Sequence, residues 1–346
     1  MANYFEDIIN QPNSLKKAFD FYFSKDYMEK FEAISKLSFS NVLFTGMGSS
    51  NFASIGASII LNNAGISSEV TSTGQLVYYK KRVIKKDTLL VMVSQSGESG
   101  ETVSLLKELN SSVKTVGITN NLESSLGKRA DFVLPLNVED EESVTTRTYI
   151  ATLCINYILS NTIAGMDREL IKENLINAAD NLEEFIGKYK DFSEKLYEFF
   201  KDINFIEAAG RGPSLSSAQA SGLFLKEVSK FPSEGIDLAE FRHGPVEIAD
   251  HNFGCIIFAP EGRTSDLGIK MAKEVSSHGG KVLLITNTEF NSDSENMMVM
   301  KYGKMDEMLT PVVDIVGAQL LCNILADKRG FVPGKFRWSS KITKEQ

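Results

Sequence analysis

The sequence predicts an α/β fold in which one unit occurs twice, each a parallel sheet with helices on both faces. Three observations predict it. Short apolar runs end in Gly- and Ser-rich turns and lead into helical patterns, the alternation that builds parallel sheets. The alternation repeats at a nearly constant offset. Asn41–Thr45 (NVLFT) with Gly46-Met47-Gly48-Ser49-Ser50 returns as Asn204–Ala209 (NFIEAA) with Gly210-Arg211-Gly212-Pro213-Ser214, 164 residues later. Thr88–Val93 returns as Gly254–Ala259 after 166 residues, and Thr115–Asn120 (TVGITN) as Val282–Asn287 (VLLITN) after 167. Finally, 346 residues, 42% of them hydrophobic and 24% charged, suffice for two ordinary globular domains.

Taken in order, a helix-rich arm covers residues 1–38 and the first unit 39–165, with a helical pattern running from its first turn to Leu61. Residues 166–202 read as a helical connector, polar, without Pro and with a single Gly, Gly187. The second unit covers 203–329, with a helical pattern to Ser229 after its first turn. Gly235–Pro245 reads as a long loop, and such loops commonly carry function. A tail from Gly330 to Gln346 follows.

The net charge of −8 argues against nucleic acid or an anionic membrane surface as a partner. Met1–Glu6 lacks the basic start of a secretory signal, and no apolar run reaches the ~18 residues of a membrane span. Cys154, Cys255 and Cys322 lie far apart in apolar sequence and read as buried thiols, pointing to a reducing, cytoplasmic setting. His243, His251 and His278 are the only histidines, and none has a metal-like spacing to another ligand. No metal and no cofactor is expected. A dinucleotide fingerprint would need Gly where Asn51 and Leu215 stand, and no phosphate-loop motif with its Gly-Lys-Ser/Thr ending occurs.

The most informative stretch is Leu89–Thr102, LLVMVSQSGESGET. It reads as a buried strand, a hydroxyl-rich turn and a helix N-terminus. Free N–H groups of the first helical turn and the helix dipole favour an anion there. One serine would suit a helix cap; Ser94, Gln95, Ser96 and Ser99 together suit a neutral cradle for a phosphate monoester. Ala259-Pro260-Glu261-Gly262-Arg263-Thr264, its counterpart in the repeat, has one hydroxyl and an acidic residue, and is not expected to bind phosphate. The expectation is one site per protomer, built mainly by the first unit and completed by the second.

The duplicated turns, SQSGES, and Leu225–Pro245 (LKEVSKFPSEGIDLAEFRHGP) together resemble the sugar isomerase (SIS) domain family. The likeness extends to Ile9-Asn10-Gln11-Pro12 in the arm. It points in particular to the isomerase half of glutamine–fructose-6-phosphate aminotransferase, and to stand-alone amino-sugar-phosphate deaminases and fructosamine-6-phosphate deglycases. It implies two flavodoxin-like units and a sugar phosphate as substrate. Ser49, Ser50, Ser94, Gln95, Ser96 and Ser99 match phosphate-binding positions; Val144 and Thr145, in SVTTRTY, match a loop that holds the sugar. Glu227 matches the base that carries a proton between C1 and C2. His243 matches the histidine that opens the sugar ring, reaching the site from the partner subunit of a homodimer, with Glu240 three residues before it among the sugar contacts. A C-terminal lysine that can form an imine has Lys341 as its counterpart, although an ungapped alignment puts Ser340 there. These residue types suit the chemistry independently: proton transfer between adjacent carbons needs a carboxylate with reach to both, and ring opening suits a group titrating near neutrality.

Two departures shape the expected activity. Where the synthase has a lysine three residues before the base, this chain has Phe224. No glutaminase domain precedes the repeat, and Met1 is followed by Ala2 rather than by a nucleophilic Cys. The first expectation is therefore deamination or deglycation of an amino-sugar or fructosamine 6-phosphate, with aldose–ketose isomerisation second. A sensor without chemistry is a third reading.

Overall fold

The computed structural model describes residues 4–141, 144–338 and 340–343, which form two compact units. One comprises 13–141, 145–176 and the tail from 338; the other comprises 4–12, 144 and 177–337. Each contains one five-stranded, all-parallel sheet.

In the first, β1 (Asn41–Gly46), β2 (Ser68–Ser72), β3 (Thr88–Val93), β4 (Lys114–Thr119) and β5 (Phe132–Pro135) run in the order β2-β1-β3-β4-β5. In the second, β6 (Phe205–Gly210), β7 (Ser233–Asp237), β8 (Phe253–Phe258), β9 (Lys281–Thr286) and β10 (Met297–Lys301) run in the order β10-β9-β8-β6-β7. Numbered within each unit, both orders are 2-1-3-4-5, the flavodoxin-like arrangement. The six strands expected from the apolar runs are all present, within one residue of their expected ends. The four others, β2, β5, β7 and β10, are the sheet edges: β2 and β7 have few apolar residues to announce them, and β5 is only four residues long.

Every residue of β3 and β8 is buried, as a strand covered on both faces requires. Over the first sheet, Leu43, Leu90 and Met92 pack with Leu105, Leu106 and Leu126; over the second, Cys255, Ile257 and Leu284 pack with Met271 and Val275. Each such leucine contributes about 1.5–3 kcal/mol. All three cysteines are buried and free, as expected. The arm is helical over Tyr4–Ile9, Gln11–Tyr22 and Lys25–Ser35. Within the first unit it is tied to the end of β5, where Tyr27 donates to the Pro135 carbonyl at 2.8 Å and Tyr22 to that of Leu136.

The helix within Glu307–Lys328 is long and apolar enough to cross a membrane by length and composition, which the run-length reading did not register. Of that window 89% is buried inside the protein, so it is a core helix. It packs on the helix Ser214–Ser229. That second helix also lies backbone-to-backbone on β7: a Cβ on Gly222 would stand 2.5 Å from Gly235 N, and one on Gly235 would stand 2.3 Å from the Ala218 carbonyl oxygen. Glu227, on the last turn of that helix, is half-buried.

Gly235–Pro245 is not the loop expected. Its first residues complete β7; Leu238–Arg242 is a short helix whose first turn is capped by Asp237, accepting from Ala239 N at 2.7 Å. A local Asx cap outcompetes the charge pattern that suggested a loop.

Candidate active site

In doubly wound sheets ligands collect at the carboxyl ends of the strands where strand order reverses, here between β1 and β3. Both hydroxyl turns sit there. At the end of β1, Gly48 takes φ 53° and starts a short helix with Ser49 and Ser50. Gly46 lets the two strand ends close up, since a Cβ on it would stand 2.9 Å from the Val93 carbonyl oxygen.

At the end of β3 the turn is held from within and from beside. Gly97 N–H donates to Ser94 Oγ (3.2 Å) and Glu98 N–H to Ser96 Oγ (3.2 Å). Gly97 has φ 65°, and a Cβ there would lie 2.0 Å from Ser124 Oγ. The Gln95 carbonyl accepts from Asn120 N at 2.9 Å and Thr119 Oγ1 at 3.1 Å. Glu98 adds what the sequence did not disclose: its carboxylate accepts from Ser125 N (2.5 Å) and Ser125 Oγ (2.9 Å), fastening the turn to the next loop. Ser99 precedes the helix Gly100–Glu108 with extended φ and ψ, so its hydroxyl stands at the helix N-terminus, donating to Thr102 Oγ1 at 2.7 Å. Ser94 is buried; Gln95, Ser96 and Ser99 are half-buried. The result is a preorganised cluster of hydroxyls and N–H groups with no cation in the turn, chemically suited to a phosphate monoester.

The tail meets the same turn, as Gly100 N donates to the Thr343 carbonyl at 3.0 Å. Lys341 Nζ is closed off from solvent, whereas Ser340 is exposed and donates to the Ile342 carbonyl at 2.7 Å. Beside Val144, which is buried, Thr145 Oγ1 lies 2.6 Å from Thr148 Oγ1 at the start of the helix Arg147–Ile163. Glu141 organises that start. It is buried and accepts from Thr146 N (2.7 Å) and Thr146 Oγ1 (2.8 Å), and from Thr148 N (3.2 Å) and Thr148 Oγ1 (2.7 Å). An acidic residue ahead of a Thr-rich helix start was the available signal.

Glu227, Glu240 and His243 belong to the other unit. Glu227 is half-buried, and burial pushes its carboxyl up to about 7, against the opposing pull of Lys230 and Lys226. A carboxyl titrating near neutrality can both take and return a proton. Phe224, one turn earlier, is fully buried and brings no charge. His243 terminates the short helix Leu238–Arg242, its N–H donating to the Glu240 carbonyl at 2.9 Å, and both side chains are exposed. The turn Ala259–Thr264 has different neighbours from SQSGES. Its Gly262 lies against the Glu307 carboxyl, which a Cβ would approach to 2.3 Å, and Ser214 Oγ donates to Asp314 at 3.1 Å. Among the described residues no cluster of His, Cys, Asp and Glu could hold a metal ion.

Two 2-1-3-4-5 sheets, one with a hydroxyl-rich turn at its switch point, define a protein of two tandem α/β units. The SIS domain model matches residues 38–159 and 201–322, and the chain belongs to that family. A glutamine–fructose-6-phosphate aminotransferase of Methanothermobacter thermautotrophicus is 27% identical over 299 residues, 85% of this chain and 50% of that protein. The chain thus spans about half the length of such relatives. Among solved structures, the C-terminal domain of a glucosamine-fructose-6-phosphate aminotransferase from Francisella tularensis superposes with a TM-score of 0.83 at 22% identity, covering 97% of this chain and 98% of that one. A glucosamine-6-phosphate deaminase from Thermotoga maritima superposes with a TM-score of 0.78 at 24% identity, covering 98% of both.

Proposed function

We propose that this chain is a phosphosugar enzyme that moves a proton between C1 and C2 of an amino-sugar or fructosamine 6-phosphate and releases the amine. The observation that carries the reading is Glu227: a half-buried carboxyl raised to about 7 on a closely packed helix, in a chain with a preorganised hydroxyl cradle. Ser49, Ser50, Ser94, Gln95, Ser96 and Ser99 grip the phosphate. Val144, Thr145 and Glu240 contact the sugar, His243 opens the ring, and Lys341 meets the carbonyl carbon.

From a 2-amino-2-deoxy aldose, Glu227 takes the C2 proton and returns it to C1. The C2–N bond becomes an imine, and water hydrolyses it to the ketose and ammonia. From a 1-amino-1-deoxy ketose the proton moves from C1 to C2, and hydrolysis of the C1 imine gives the aldose and the free amine. Each turnover consumes one water and leaves Glu227 as it began. Buried, chargeless Phe224 and the end-to-end likeness to a named deaminase favour amine release. Without an amine, the same base supports aldose–ketose isomerisation, the second reading. Incubation with glucosamine 6-phosphate and fructosamine 6-phosphates should release ammonia or free amine. Interconversion of ketose and aldose 6-phosphates alone would favour isomerisation; the absence of both reactions would overturn the proposal.

His243 acts in trans in a two-fold dimer on this reading, in keeping with its exposure on the single chain. Mixing inactive Glu227→Gln and His243→Ala proteins under subunit exchange should restore activity to roughly a quarter of sites. If mass spectrometry shows mixed dimers and no activity returns, His243 does not serve its partner's site.

A further inference from the structure

The helix carrying Glu227 ends in an unusual way. Lys230, directly after Ser229, has φ 55° and ψ 32°, the left-handed region in which a Cβ is penalised and Gly commonly closes a helix. Asn137 is the one other non-glycine residue with positive φ among those described. Phe231 N–H returns to the Leu225 carbonyl at 3.0 Å, and Phe231 itself is buried. Glycine would make the same turn with less strain.

What glycine would lack is the side chain. Lys230 Nζ donates to the Glu227 carbonyl and, at 2.8 Å, to the Lys335 carbonyl, while the Lys230 carbonyl accepts from Arg329 Nη2 at 3.3 Å. The Arg329 guanidinium stands 5.2 Å from the Phe231 ring centroid and 5.9 Å from that of Phe331. Arg337 stands 5.1 Å from Phe331. The end of the helix and the segment 329–337 are thereby tied together within one unit. Retained backbone strain of this kind is a pointer to function when the residue has work that an unstrained one could not do.

We propose that Lys230 is a positioning residue for Glu227: its ammonium fixes the last helical turn, locks the segment around Lys335 against it, and keeps a positive charge beside the carboxyl. The proposal rests on the reading of Glu227 as the base and deepens it. The other charged and titratable groups acting on this pair are Lys226 on the same helix, Cys322 on the helix Pro311–Lys328, and Arg337 on the segment beyond. Lys230 draws the Glu227 carboxyl down against its burial, while burial and Arg337 lower the Lys230 ammonium in turn.

The test uses the full chain and no substrate. Lys230→Gly suits the backbone and will fold; Lys230→Met removes the charge but keeps much of the stem; Lys230→Arg keeps the charge. Hydrogen exchange of the 331–337 amides should quicken about tenfold in the Gly and Met variants. In both, the Glu227 titration midpoint, read by carboxyl carbon NMR, should rise by about half a unit, and Arg should restore it. Faster exchange with an unmoved midpoint would reduce Lys230 to a structural clamp and overturn the proposal, as would no change in either. If Glu227→Gln kept full turnover, the base reading would fall while these measurements stood.

Discussion

Glu227→Gln should lose about 10²–10⁴ of the turnover rate and yet unfold at a higher temperature than the parent at pH 8. The two effects share one cause. Burial holds the folded-state pKa of Glu227 near 7, above the ordinary carboxyl value of 4.5. An acid whose pKa rises on folding favours the fold below its unfolded pKa, and that contribution is lost as pH climbs from about 4.5 through 7. At pH 8 the parent keeps a carboxylate where the fold prefers a neutral group, at a cost of as much as about 3 kcal/mol. The amide has no such cost, so its advantage should be present at pH 8 and gone by pH 4. Calorimetric scans at the two pH values, beside a turnover assay, check both halves. A Gln variant with parental turnover removes Glu227 from the mechanism; one without the pH-dependent gain shows that the carboxyl is not poised by burial.

Ser94→Ala combined with Ser96→Ala should weaken binding of a sugar 6-phosphate by some 10²–10⁴ in Kd. Two hydrogen bonds to a charged acceptor are removed, each contributing about 1.5–3 kcal/mol. Both hydroxyls also accept backbone N–H groups of their own turn, from Gly97 and Glu98, so the cradle loosens as well as losing donors. Titration calorimetry should find the unphosphorylated sugar binding the parent and the double variant alike. An equal loss for both ligands, or none for the phosphate, contradicts the cradle.

The central strands and the cradle were legible because each imposes a dense local demand. β3 is buried along its whole length and so is written as an unbroken apolar run, while a neutral phosphate cradle demands several hydroxyls in a few residues. Two of the edge strands impose no such demand: SEVTS and SEGID pair on one side only and carry one apolar side chain each. Some of the site was legible as residue types but not as an arrangement. Glu227 in sequence is a helical charge next to Lys226; its burial comes from tertiary packing, on a helix that lies against both β7 and the helix Pro311–Lys328. Glu98 and Glu141 brace the cradle and the Thr-rich helix start through partners five to twenty-seven residues away, a relation no local pattern encodes. The strain at Lys230 is likewise invisible in the letters, since lysine is an ordinary helix-end residue.

The most direct test of the account is deuterium wash-in at carbon. The chain would be incubated in D₂O with glucose, fructose, glucosamine and fructosamine 6-phosphates, and C1 and C2 followed by proton NMR. With the parent chain, at least one of them should be converted to product or take up solvent deuterium at C1 or C2, and both changes should stop with Glu227→Gln. If every sugar phosphate that binds is recovered unconverted, with its C1 and C2 protons in place, the chain senses phosphosugars and does not transform them.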